Sequence, residues 1–126
     1  MFSHIVVGSS DLQRSKTFYD ALFAAIGGPE GMNAGTRVIY AHNGGRFMVA
    51  TPVNGEPCSF ANGGTIGFLM ASAEQADAWH AAGIAAGGKT CEDPPGVREL
   101  GVSKLYLAYL RDPDGNKLCA TYRMES

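Results

Sequence analysis

The chain has 126 residues, 45% hydrophobic and 17% charged, which supplies apolar material for one packed domain and too little charge for a disordered one. Ten Lys and Arg against twelve Asp and Glu leave a net charge of −2, so no basic surplus points to nucleic acid. No run approaches the ~20 apolar residues of a membrane span, and the start, MFSHIVVGSS, lacks the basic and long apolar regions of a signal peptide. The cytoplasm is therefore the expected location, with neither nucleic acid nor membrane as partner. Three cysteines, Cys58, Cys91 and Cys119, form no C-x-x-C pair, which speaks against a disulfide framework and a thiolate zinc site.

In chain order, Phe2 to Gly8 is short and β-branched and predicts a buried strand. Asp11 suits a helix N-cap, because its carboxylate can accept from free amides of the first turn. Leu12, Ser15, Phe18, Tyr19, Leu22, Phe23 and Ile26 then recur at helical spacing, and Gly27-Gly28-Pro29 stops the helix. Thr36–Ala41 and Arg46–Thr51 read as a hairpin around Asn43-Gly44. After an irregular stretch from Pro52 to Gly64 the plan repeats. Thr65–Met70 is a strand, and Ser72 with Gln75 forms a capping box for a second helix that carries Ala76, Trp79 and His80. Gly87-Gly88 ends it. Lys89 to Ser103 reads as a long loop, a lid or a dimer contact, and Lys104–Leu110 with Lys117–Arg123 reads as a second hairpin around DPDGN.

A step of 61 residues carries His4-Ile5 onto Thr65-Ile66 and Phe18-Tyr19 onto Trp79-His80. A step of 70 carries Val49-Ala50-Thr51 onto Cys119-Ala120-Thr121. Two tandem modules result, about 1–55 and about 64–126, within one domain over 1–126.

This order resembles the vicinal oxygen chelate superfamily of glyoxalases, bleomycin-resistance proteins and extradiol dioxygenases. The resemblance rests on His4 with Val6, Ser10-Asp11, Ser15 and Phe18-Tyr19, on RDPDGNKL from Arg111 to Leu118, and on AAGG followed by PPGVRE. It implies an α+β fold of two βαβββ modules, a cupped mixed sheet around a cavity with helices outside, and often modules paired across a homodimer. A homodimer is also expected because such modules leave open sheet edges.

In metal-dependent relatives, the first and last strands of each module supply ligands for an ion that acts as a Lewis acid. Placed on this chain, those slots are His4, Thr65, Val49 give or take one residue, and Cys119. Only His4 is a good ligand, and Cys119 is soft, so no resident metal is expected. The expected site residues are therefore those of a cavity: His4, Thr65, Arg98, Tyr106 and Cys119. Arg98 would grip a carboxylate or phosphate, or else pair with Glu99 on the surface. Tyr106 and Tyr109 have opposite parity, and the resemblance favours Tyr106 as the inward one. His4 and Cys119 could meet in the cup as a thiolate pair, while Cys119 as a small buried hydrophobe is the plainer reading. Trp79 and His80 read as packing, and His42 as a solvated turn residue.

Three functions fit. The first is a metal-free protein that binds or converts a small organic molecule. The second is a divalent-metal lyase, isomerase or dioxygenase, which needs Glu56, Glu99 or His42 to reach the cavity. The third is a ligand-free interaction module.

Overall fold

The computed structural model describes residues 1–124, so the end of the second module at 126 lies outside the described residues. The first module runs β1 (Ile5–Gly8), α1 (Leu12–Ala24), β2 (Met32–Asn33), β3 (Arg37–His42) and β4 (Gly45–Ala50). The second runs β5 (Ile66–Leu69), α2 (Ala73–Ala85), β6 (Lys89–Thr90), β7 (Gly96–Leu100), β8 (Ser103–Arg111) and β9 (Lys117–Met124). Both helices begin as expected. Asp11 accepts from the amide of Arg14, and Ser72 accepts from that of Gln75, while the Gln75 side chain returns to the Ala71 amide. Asn43 and Gly44 both take positive φ, 49° and 82°, the geometry that lets a two-residue turn follow the twist of its strands.

Each module forms a mixed sheet. The first has the order β1-β4-β3-β2 with β1 parallel to β4, and the second has β5-β9-β8-β6 with β5 parallel to β9. This is the α+β architecture of two tandem βαβββ modules. The stretch from Lys89 to Ser103 departs from the expected loop, because β6 and β7 both pair along the edge of β8 left free by β9. Only Cys91–Pro95 interrupts that edge, where two prolines lack the amide a ladder needs.

The internal repeat changes step once. A step of 61 carries β1 onto β5 and α1 onto α2. Equal ladder positions place Arg37 opposite Ala50 and Leu107 opposite Thr121, a step of 70 from β3 to β8 but 71 from β4 to β9. The second hairpin turn holds one more residue. Cys119 is therefore equivalent to Met48, and Ala120 to Val49, which corrects the Val49–Cys119 pairing read from sequence. The difference matters because a one-residue slip exchanges the two faces of a strand. Val49 and Ala120 are both fully buried against the helices.

The modules join through their helix-bearing sides. Helix α1 packs on α2, and Phe68 of β5 meets Phe47 of β4 with ring centroids 5.4 Å apart. Phe18, Tyr19, Leu22, Tyr40, Trp79, Leu110 and Leu118 are among the large members of one shared core. Each large apolar side chain so buried contributes roughly 1.5–3 kcal/mol. Among the described residues, the opposite face of each sheet carries no helix.

Candidate functional site on the open sheet faces

Strand alternation decides which side chains reach the open faces. On the first sheet, Ile5 and Val7 pack inward, so His4, Val6 and Gly8 take the other side, beside Met48, Ala50 and Arg37. The Arg37 guanidinium lies 3.8 Å from the Met48 sulfur. A cavity of ≈ 390 Å³ lies here, between Val6, Gly8, Arg37 and Ala50 on the sheet and Asn54 and Cys58 of the following loop. Cys58 holds that loop down: its Sγ is 2.9 Å from Ser10 Oγ and 3.3 Å from Asp114 Oδ1. Burial pushes the Cys58 thiol up, and the Asp114 carboxylate adds to the effect, so it is a poor nucleophile at neutral pH.

On the second sheet, Ala108, Leu110, Leu118 and Ala120 enter the core, so Tyr109 and Cys119 face outward, directly opposite each other. Arg98 shares this face from β7. Its guanidinium donates to the carbonyls of Asp93 and Pro94, at 3.1 and 2.9 Å, and so ties the β6–β7 break to β7 instead of pairing with Glu99. Cys119 is 5% exposed, with Sγ 3.4 Å from Thr121 Oγ1. Burial and the neighbouring thiol hold the Tyr109 phenol above its ordinary pKa, and Lys117 Nζ stands 5.1 Å from the ring centroid.

Tyr106 takes the other side. Its hydroxyl donates to Asp77 of α2 at 2.7 Å, so Tyr109 supplies the outward phenol and the expected parity of the two tyrosines is reversed. His4 is exposed just before β1, with Nδ1 2.7 Å from Ser3 Oγ, and Thr65 is exposed just before β5. The structure thus brings Cys119, Tyr109 and Arg98 to one face and leaves His4 on the other sheet, so no His4–Cys119 contact forms within the chain. Arg37 escaped the sequence reading, which also set Tyr109 aside for Tyr106 and centred its strand slot on Val49 rather than Met48. Ladder register would have found them, and composition cannot supply register.

The positions that the resemblance reserves for metal ligands hold an imidazole (His4), a thioether (Met48), a hydroxyl (Thr65) and a thiol (Cys119). Magnesium and manganese ask for carboxylate or carbonyl oxygen, and nickel or ferrous iron for several imidazoles and carboxylates. The donor set fits none of them. Glu56 lies in an exposed loop, Glu99 alternates away from Arg98, and His42 packs edge-on to Phe23 at 6.1 Å. Among the described residues no three His, Cys, Asp or Glu side chains cluster as a metal site.

The sequence profile of the Glyoxalase/Bleomycin resistance protein/Dioxygenase superfamily matches residues 1–120. The chain belongs to this superfamily. A crystal structure of a glyoxalase/bleomycin resistance protein from Albidiferax ferrireducens is similar at 56% identity and TM-score 0.95, covering 98% of this chain and 99% of that one. A glyoxalase/bleomycin resistance protein/dioxygenase family enzyme from Burkholderia phytofirmans shares the fold at 16% identity and TM-score 0.74, covering 97% and 98% of the two chains. The fosfomycin resistance protein FosX from Mesorhizobium loti shares it at 13% identity and TM-score 0.68, covering 97% and 91%. No curated protein matches this superfamily member. No helix among its described residues is long and apolar enough to cross a membrane.

Proposed function

We propose that the protein binds, and in one version converts, a small organic molecule on its open sheet faces without the divalent ion that metal-dependent relatives use. The observation that carries this reading is the donor set His4, Met48, Thr65 and Cys119, which holds no carboxylate. In its place Arg98 offers the planar fork that suits a ligand carboxylate or phosphate. Tyr109 offers an apolar wall with one hydroxyl, and Cys119 lies opposite it on β9, on the side away from Arg98.

A second copy of the chain completes the cavity in this reading. Val6, Met32, Leu69 and Leu100, all on the open faces, are 45%, 61%, 77% and 56% exposed in the single chain. Covering such a row removes apolar area from water at roughly 25 cal/mol per Å². Pairing the first sheet of one copy with the second sheet of its partner would bring His4 toward Cys119.

Elemental analysis after incubation with nickel, zinc, manganese and iron(II), with His4→Ala as control, tests the metal clause. Metal far below one equivalent supports the reading. Stoichiometric metal lost in the control overturns it in favour of a lyase, isomerase or dioxygenase. Light scattering tests the pairing: a monomer at all concentrations removes the shared cavity, and with it the proposed site.

A further inference from the structure

The tandem repeat creates two junctions between the modules, and they are built differently. At one, the second hairpin turn is fastened to the first module. Tyr19 Oη donates to Asp112 Oδ2 at 2.6 Å, the Ser10 amide to Asp114 Oδ1 at 3.1 Å, and Asn116 Nδ2 to the Gly8 carbonyl at 3.2 Å. The repeat puts His80 where Tyr19 stands and His42 where Asp112 stands. His80 turns instead to Thr90, 3.0 Å away, and His42 lies against Phe23. No side-chain hydrogen bond crosses this second junction among the described residues.

A cavity of ≈ 250 Å³ occupies it, walled by Ile5, Phe23, Phe47 and Phe68, with His42 and Arg46 also lining it. None of its lining residues is acidic. Arg46 is exposed and forms no ion pair among the described residues. An aromatic wall in a cavity that Arg46, a cation without an acidic partner among the described residues, also lines suits a small aromatic anion. We infer that this junction is a second binding site, for a small aromatic monocarboxylate whose ring lies among the phenylalanines and whose carboxylate is forked by Arg46. The site goes beyond the reading above, since Phe23, Phe47 and Phe68 reach it from the helix side, while Arg46 and Leu69 border it from strand positions of open-face parity, at the seam between the first hairpin turn and β5.

The probes are sodium phenylacetate and its neutral isostere phenylacetamide, titrated calorimetrically into the full-length protein. Phenylacetate should bind saturably, and phenylacetamide more weakly. Arg46→Gln, a substitution at an exposed residue checked for folding by circular dichroism, should weaken phenylacetate at least about tenfold, the loss of one charge-assisted hydrogen bond. Arg123→Gln, at an exposed cation outside both cavities, should leave it unchanged. Absence of saturation up to about 10 mM, which is weaker than any useful site, overturns the inference, as does equal binding of the amide. Binding lost with Arg98→Gln and kept with Arg46→Gln assigns the carboxylate to the open face, which overturns this inference and leaves the proposed function standing.

Discussion

Tyr19 in α1 and Asp112 at the tip of the second hairpin are 93 residues apart in sequence and share a hydrogen bond of 2.6 Å. Tyr19 is fully buried and Asp112 is 5% exposed. Two backbone amides and the Asn116 amide group also donate to the same carboxylate. Burial, then the Asp112 charge, holds the Tyr19 phenol well above its ordinary value. A raised phenol favours the protonated form in the folded state. Its contribution to stability is therefore complete below the ordinary tyrosine pKa of about 10 and is lost as pH rises beyond it. Alkaline absorbance titration should find Tyr19 silent until unfolding. Tyr19→Phe should lower stability by about 1–2 kcal/mol and flatten the alkaline loss. Full stability in that variant would refute the role given to the bond.

Asp114 has the opposite sign. Burial alone would raise its carboxyl, but the Ser10 amide, the Cys58 thiol and Arg14, whose Nη2 is 2.9 Å away, outweigh it and hold the value below the usual carboxylate range. Its stabilisation is present above the ordinary aspartate pKa of about 4 and disappears as pH falls through the lowered one. Asp114→Asn should leave neutral-pH structure intact and shrink the acid-side fall in melting temperature. An unchanged acid limb would show that other carboxylates carry it.

The change of step at the second hairpin predicts a contrast between neighbours. Val49→Glu places a charge in the shared core, where nothing pairs with it, and should abolish folding or cost several kcal/mol. Met48→Glu places the same charge on the open face beside Arg37 and should fold. Circular dichroism separates the two, and equal damage from both would mean that the face assignment is wrong.

Gly31 leaves no room for a side chain. An added Cβ would stand 2.5 Å from Val38 Cγ1 and 2.6 Å from Tyr40 Cζ. Val38 is stiff at χ1, and the Tyr40 hydroxyl is fixed to Asp20 at 2.7 Å, so neither yields easily. Gly31→Ala should therefore destabilise by about 1–3 kcal/mol in a urea melt. A stabilised variant, as expected from backbone entropy alone, would show that the contact relaxes.

Much of the architecture was legible because it is local. Caps at Asp11 and Ser72, the apolar stripe from Leu12 to Ile26, and Asn43-Gly44 each signal through a few neighbouring residues. The short strands β2, β6 and β7 were not, because two to five residues on a sheet edge carry little periodicity of their own. The open-face residues failed for a related reason. Whether Tyr106 or Tyr109 looks outward depends on pairing with β9, and whether Val49 or Met48 matches Cys119 depends on one added turn residue. Register is a property of two strands at once, and either strand read alone leaves it open.

The fastening between Asp112–Asn116 and the start of α1 also sets an order of events in synthesis and folding. Ser10, Arg14 and Tyr19 leave the ribosome some hundred residues before their partners, with chain separations of 93 to 104. A nascent first module therefore holds the start of α1 by its Asp11 cap alone, without the distant partners of Ser10, Arg14 and Tyr19, until almost the whole chain has emerged. Closing contacts so distant in sequence is slow relative to helix or hairpin formation. The completed protein should reach its native state in a late docking step, and a chain truncated before Asp112 should remain protease-sensitive even where its own strands and helix have formed.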